Sequence, residues 1–105
     1  MWDELVKRLK SSGIPFAFMA WDSKPRDDFG VYSQDFGTEL YADDTVVETA
    51  LSCSVDLFLR KPNQKKVDLV QTILSEVVGT WDLSSIQYEQ DTRLIHYEWT
   101  FDVEG

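Results

Sequence analysis

Few side chains in this chain could do acid–base, nucleophilic or metal chemistry. His96 is its one histidine and Cys53 its one cysteine. His96 falls between Ile95 and Tyr97, on the polar side of an alternating run. That placement suits a surface or interface histidine better than a catalytic base. Cys53 falls on the apolar side of a second alternating run. It reads as a small core residue, because reactive thiols need an exposed, electropositive setting. One cysteine and one histidine cannot build a zinc site of the usual kind. Asp43 and Asp44, with Asp35 and Glu39 nearby, could gather around a hard cation. Their spacing lacks the central glycine and terminal glutamate of an EF-hand loop, so an Asp-capped turn is the simpler reading. Asp-Phe-Gly occurs at 28–30 and again at 35–37. In protein kinases that tripeptide holds Mg²⁺, but only alongside companion motifs that this chain lacks; both copies read as turns. No glycine-rich phosphate loop, serine elbow or histidine–carboxylate pairing is present. The expectation is a protein that is not an enzyme and has no cofactor, no metal site and no catalytic residue.

The elements that would position these residues are easier to read. Trp2, Leu5, Val6 and Leu9 recur at helical spacing, predicting a helix over 2–11 that Ser11-Ser12-Gly13 ends. Residues 14–21 are apolar and aromatic and predict a strand; Pro25 marks a turn; 29–33 predict a short second strand. Residues 34–44 are polar and acidic and predict a loop or irregular arm. From Val46 to Arg60 the chain alternates. Leu51, Cys53, Val55, Leu57 and Leu59 share one face, while Ser52, Ser54, Asp56 and Phe58 share the other. After Lys61-Pro62, Asn63 is a plausible N-cap for a helix. The stripe of that helix is Val67, Val70, Leu74 and Val77, widened by Leu69 and Ile73, and Gly79 would close it. Residues 83–89 and 93–103 predict a hairpin, with Ile95, Tyr97, Trp99, Phe101 and Val103 facing one way. The expected fold is α+β, in the order α-β-β-β-α-β-β. Two helices would pack on one face of a mainly antiparallel β-sheet. Leu51, Cys53, Val55 and Leu57 would be buried beneath Val70, Leu74 and Val77.

With 105 residues the chain is read as one domain over positions 1–105, with room for one core. No apolar run approaches the roughly 18 residues of a membrane span, and no membrane partner is expected. The amphipathic N-terminus lacks the continuous apolar stretch of a signal peptide. A lone cysteine allows no internal disulfide, which fits a reducing compartment. The net charge is −9, which argues against phosphate-backbone binding and sequence-specific nucleic-acid recognition. The acids concentrate in 35–50 and 80–105. They make either a solvated surface or an acidic rim that meets a basic partner or repels DNA.

Ile14-Pro15-Phe16-Ala17-Phe18, Gly30-Val31-Tyr32, Tyr41-Ala42-Asp43-Asp44, the strand end Val55-Asp56-Leu57-Phe58 and the following Lys61 come in an order that resembles a known family. That family is the small tail terminator, or tail-completion, proteins of siphophages and their prophages. The likeness spans nearly the whole chain and rests on many weakly specific positions. Asp44 stands where asparagine is usual, and Phe58 and Phe18 stand where tyrosine is common. The resemblance implies a virion structural protein of the bacteriophage tail, assembled in the host cytoplasm. Such subunits form a homo-hexameric ring on the end of the tail tube, stop its polymerisation and later join the head–tail connector protein. Partners would be further copies of the chain, the tail tube protein and the connector, with DNA passing through the lumen. Asp35, Glu39, Tyr41, Asp43 and Asp44 are then the candidate contacts to a neighbouring subunit or the tube.

Two other readings stand beside this one. The chain could be a different connector or tail-tube subunit, which copy number in the tail would distinguish. It could also be an acidic DNA-mimic inhibitor, which would spread carboxylates along one face at phosphate-like spacing.

Overall fold

A computed structural model describes residues 2–21, 25, 27–35 and 50–104; of Asp35, Ala50, Leu51 and Glu104 it describes the backbone alone. The element order is α1 (Trp2–Lys10), β1 (Phe16–Phe18), β2 (Phe29–Asp35), β3 (Ala50–Leu59), α2 (Gln64–Val77), β4 (Asp82–Glu89) and β5 (Leu94–Glu104). The five strands form one sheet in the order β1-β2-β3-β5-β4. β1 runs parallel to β2, and every other neighbouring pair is antiparallel. The class is α+β, and the order matches the one expected from the sequence.

Burial follows the two periodicities. Leu5 and Leu9 of α1 and Val67, Val70, Ile73 and Leu74 of α2 are buried. They close over Cys53, Val55, Leu57 and Leu59 from β3 and Trp99, Phe101 and Val103 from β5. Val77 packs at the edge of this core and is only partly buried; the Leu51 side chain lies outside the described residues. Both helices therefore cover the same face of the sheet, as a helical stripe and a strand face must.

The helix ends follow local chemistry. The Asn63 side chain accepts a hydrogen bond from the Lys66 backbone N–H at 3.2 Å, capping α2. Gly79, at φ 92°, donates its N–H to the Leu74 carbonyl at 3.0 Å and closes the helix. Gly30 serves a different purpose. The Phe16 ring fills the space where a side chain would go, and a β-carbon there would collide with it.

Some boundaries differ from the sequence reading. β1 is only 3 residues long, because Met19 turns into a left-handed backbone at φ 65°. β2 continues through Gln34 and Asp35, which pair with Cys53 and Ser52; the expected arm therefore cannot start before residue 36. Phe29-Gly30 opens β2, as the strand expected over 29–33 requires, so that copy of Asp-Phe-Gly is not a turn. Arg60 lies just beyond the end of β3, and 46–49 lie outside the described residues.

Candidate functional site

Of the expected interface residues, Asp35 sits at the end of β2, its backbone in register with Ser52. Glu39, Tyr41, Asp43 and Asp44 lie outside the described residues. Among the described residues, three surfaces have chemistry that merits attention: the sheet face away from the helices, the outer strand β4, and the hollow between α1 and α2.

The open sheet face carries two kinds of row. One row is aromatic and crosses three strands. Trp21 meets Phe29 edge-on, Phe29 stacks on Phe58 at 4.7 Å, and Phe58 stacks on His96 at 4.2 Å. Stacked or edge-on contacts of this kind add to plain area burial. The Trp21 indole N–H also donates to the Gly30 carbonyl at 3.0 Å. The other rows are polar. Ser33 and Ser54 share a hydrogen bond at 2.7 Å, Ser84 and Thr100 share one at 2.6 Å, and the Ser52 hydroxyl donates to Asp102 at 3.3 Å. Asp56 and Glu98, paired across β3 and β5, add carboxylates to the same face.

His96 joins the two kinds of row. Its Nε2 lies 3.5 Å from an Asp56 carboxylate oxygen, and its Nδ1 lies 3.8 Å from Glu89. At those distances neither contact is a well-formed hydrogen bond. Nε2 and the facing Asp56 oxygen are both buried and have no other hydrogen-bond partner. The Asp56 interaction raises the histidine pKa above its usual value; burial opposes it, and the charges of Asp56, Glu89 and Glu98 reinforce it. Protonation is thus favoured here, which suits a positioned cation better than a general base.

Cys53 faces the core, and its thiol pKa is pushed up to about 11, chiefly by burial and secondarily by the Asp102 charge. It is a protonated packing residue at neutral pH. No group of three or more metal-ligating side chains occurs among the described residues.

β4 carries what the sequence reading missed. It lies at one edge of the sheet. Leu83, Ile86 and Tyr88 stand opposite Trp99, Tyr97 and Ile95, so they share the helix-side face. The helices do not reach over them, and their exposures are 40%, 56% and 60%. A bulge between Leu83 and Ser85 explains why alternation did not reveal them. With one extra residue, the strip recurs at 83, 86 and 88 rather than at every second position. At the other edge of the sheet, Phe18 and Met19 of the short β1 end are also exposed.

The hollow between α1 and α2 has an apolar floor of Leu69 and Ile73, flanked by Glu4, Lys7 and Arg8. A second depression, bordered by Lys65 and Lys66, shares Leu69. Arg8 pairs with Glu76 at 2.6 Å. Lys66 pairs with Asp28, whose other oxygen accepts the Arg60 backbone N–H at 2.8 Å. That carboxylate ties the start of β2 to the end of β3 and to the first turn of α2. The sequence reading had passed over Asp28 as part of a turn, since nothing local marks a partner so distant in the chain.

Neither models of protein families nor curated proteins give a match to this chain.

Proposed function

We propose that this chain is a structural subunit of a phage tail, a tail terminator that closes into a ring on the end of the tail tube, stops its growth and presents a surface to the head–tail connector. The observation that carries the reading is the pair of unlike apolar surfaces at opposite edges of one sheet. Phe18 and Met19 are exposed by β1, and Leu83, Ile86 and Tyr88 by β4. A ring needs a heterologous contact, in which one surface of a subunit meets a different surface of the next. Exposed edge strands that keep their apolar residues are natural places for such contacts. The open sheet face supports the reading too. Its carboxylates, Asp56, Glu98 and Asp102, would repel the phosphates of DNA passing through a lumen.

The test is addition of purified chain to growing tail tubes, with particle imaging after deletion of the gene. Tubes capped by one ring of the chain, and overlong tubes without it, are the expected results. Many stacked rings would make it a tube subunit. Inhibition of a nucleic-acid enzyme by the monomer, without tube capping, would favour the DNA-mimic reading.

A further inference from the structure

The open sheet face holds one histidine between two unlike carboxylates. Asp56 of β3 faces Nε2 of His96 at 3.5 Å, and Glu89 of β4 faces Nδ1 at 3.8 Å. Glu98, on the same strand as the histidine, adds a third negative charge. Gln87, opposite His96 in the β4 register, is uncharged. Phe58 stacks on the imidazole at 4.2 Å and 19°, which fixes the plane of the ring. The two flanking acids differ in their access to water. The Asp56 oxygen and Nε2 are both shut off from solvent and have no other partner. The Asp56 side chain is 18% exposed and that of Glu89 is 37% exposed. Glu89 also closes the β4–β5 turn. Its second oxygen accepts the Thr92 hydroxyl at 3.1 Å, and its backbone carbonyl accepts the Arg93 N–H at 2.7 Å.

We propose that His96 is a proton-operated clasp on the outer strand. When charged, the ring has an N–H for each carboxylate and ties β3, β5 and β4 together. On deprotonation the proton leaves Nδ1 for water, Nε2–H stays on Asp56, and Glu89 is released. The choice of nitrogen follows from where water can reach. A bare Nε2 lone pair would confront a dry carboxylate oxygen, leaving two acceptors with no proton between them, the costlier arrangement. A bare Nδ1 faces a carboxylate that solvent reaches and that Thr92 already supports. Neutral His96 is therefore the Nε2–H tautomer, set by the partner on that nitrogen. The histidine pKa is raised above 6.5, chiefly by the Asp56 interaction and against the effect of burial, so the clasp is closed in mild acid. It opens as pH rises, loosening the end of β4 beside the exposed Tyr88. The device works within a single subunit and does not rest on the ring reading.

Long-range proton–nitrogen correlation spectra of the imidazole across pH, read beside amide hydrogen exchange, test the clasp on the unaltered chain. The spectra give the histidine pKa and the neutral tautomer. Above that pKa the ring should be Nε2–H; an Nδ1–H ring, or an even mixture, would overturn the proposal. Over the same rise in pH, opening at the Arg93 amide, corrected for the intrinsic pH dependence of exchange, should increase about two- to fivefold, the scale of one exposed ion pair. That increase is counted beyond any change at the Val55 amide in central β3, which opens only with the whole fold. Glu89→Gln, at a part-exposed site that tolerates the change, should remove the extra increase and leave the tautomer as it is. An Arg93 amide equally protected on both sides of the pKa, or one whose response survives Glu89→Gln, would show that the ring does not hold the strand end.

Discussion

At the scale of single residues, His96 is where chemistry and stability meet. Its imidazole stacks on Phe58 and faces Asp56, Glu89 and Glu98. The folded-state pKa lies above the ordinary value of 6.5, with the Asp56 interaction as the leading cause. Folding therefore binds a proton more tightly than the unfolded chain does. The resulting stabilisation is complete below about pH 6.5, the unfolded value, and fades as pH rises through the folded pKa. Comparing the unaltered chain with His96→Gln by chemical denaturation isolates the effect. The stability difference should be largest in mild acid and shrink above neutrality. A difference that is flat or grows with pH would show that the histidine is held neutral. The sequence placed His96 on the polar side of a strand, and that was right in direction. What it could not show was the company. Phe58 and Phe29 come from strands far apart in the chain and meet His96 only through register.

At the scale of elements, the sequence was most legible where one face is fully buried. β3 alternates because one side faces two helices, and α2 shows its stripe because it lies on that side. Leu57 is buried in this interface, so Leu57→Ala should destabilise the fold by roughly 2–5 kcal/mol, the range for a leucine cavity in a packed core. A loss below about 0.5 kcal/mol on denaturation, the scale of an ordinary surface substitution, would place the residue outside the core. Legibility fell where the pattern has another cause. β1 is short because of a left-handed backbone at Met19, a conformation that non-glycine residues rarely announce. β2 runs on through the polar Gln34 and Asp35 because the backbone of β3 is there to pair with, whatever the side chains. The strip on β4 was hidden by its bulge. These misreadings concern edges, and at edges tertiary pairing rather than side-chain burial decides where a strand stops.

For the whole molecule, the net charge of −9 bears on the proposed ring, because copies would repel over distances comparable to their own size. Salt relieves that repulsion. Between about 0.01 M and 0.15 M the screening length falls from about 30 Å to about 8 Å. Subunit-scale repulsion is then largely lost, while apolar contact between copies is not weakened by screening. Association should therefore strengthen with salt over this range, with monomers at low ionic strength and larger assemblies near physiological salt or at high protein concentration. Light scattering across salt and concentration measures this directly. Association that weakens steadily as salt is added would mean that opposite charges, rather than apolar surfaces such as Leu83, Ile86 and Tyr88, supply most of the attraction.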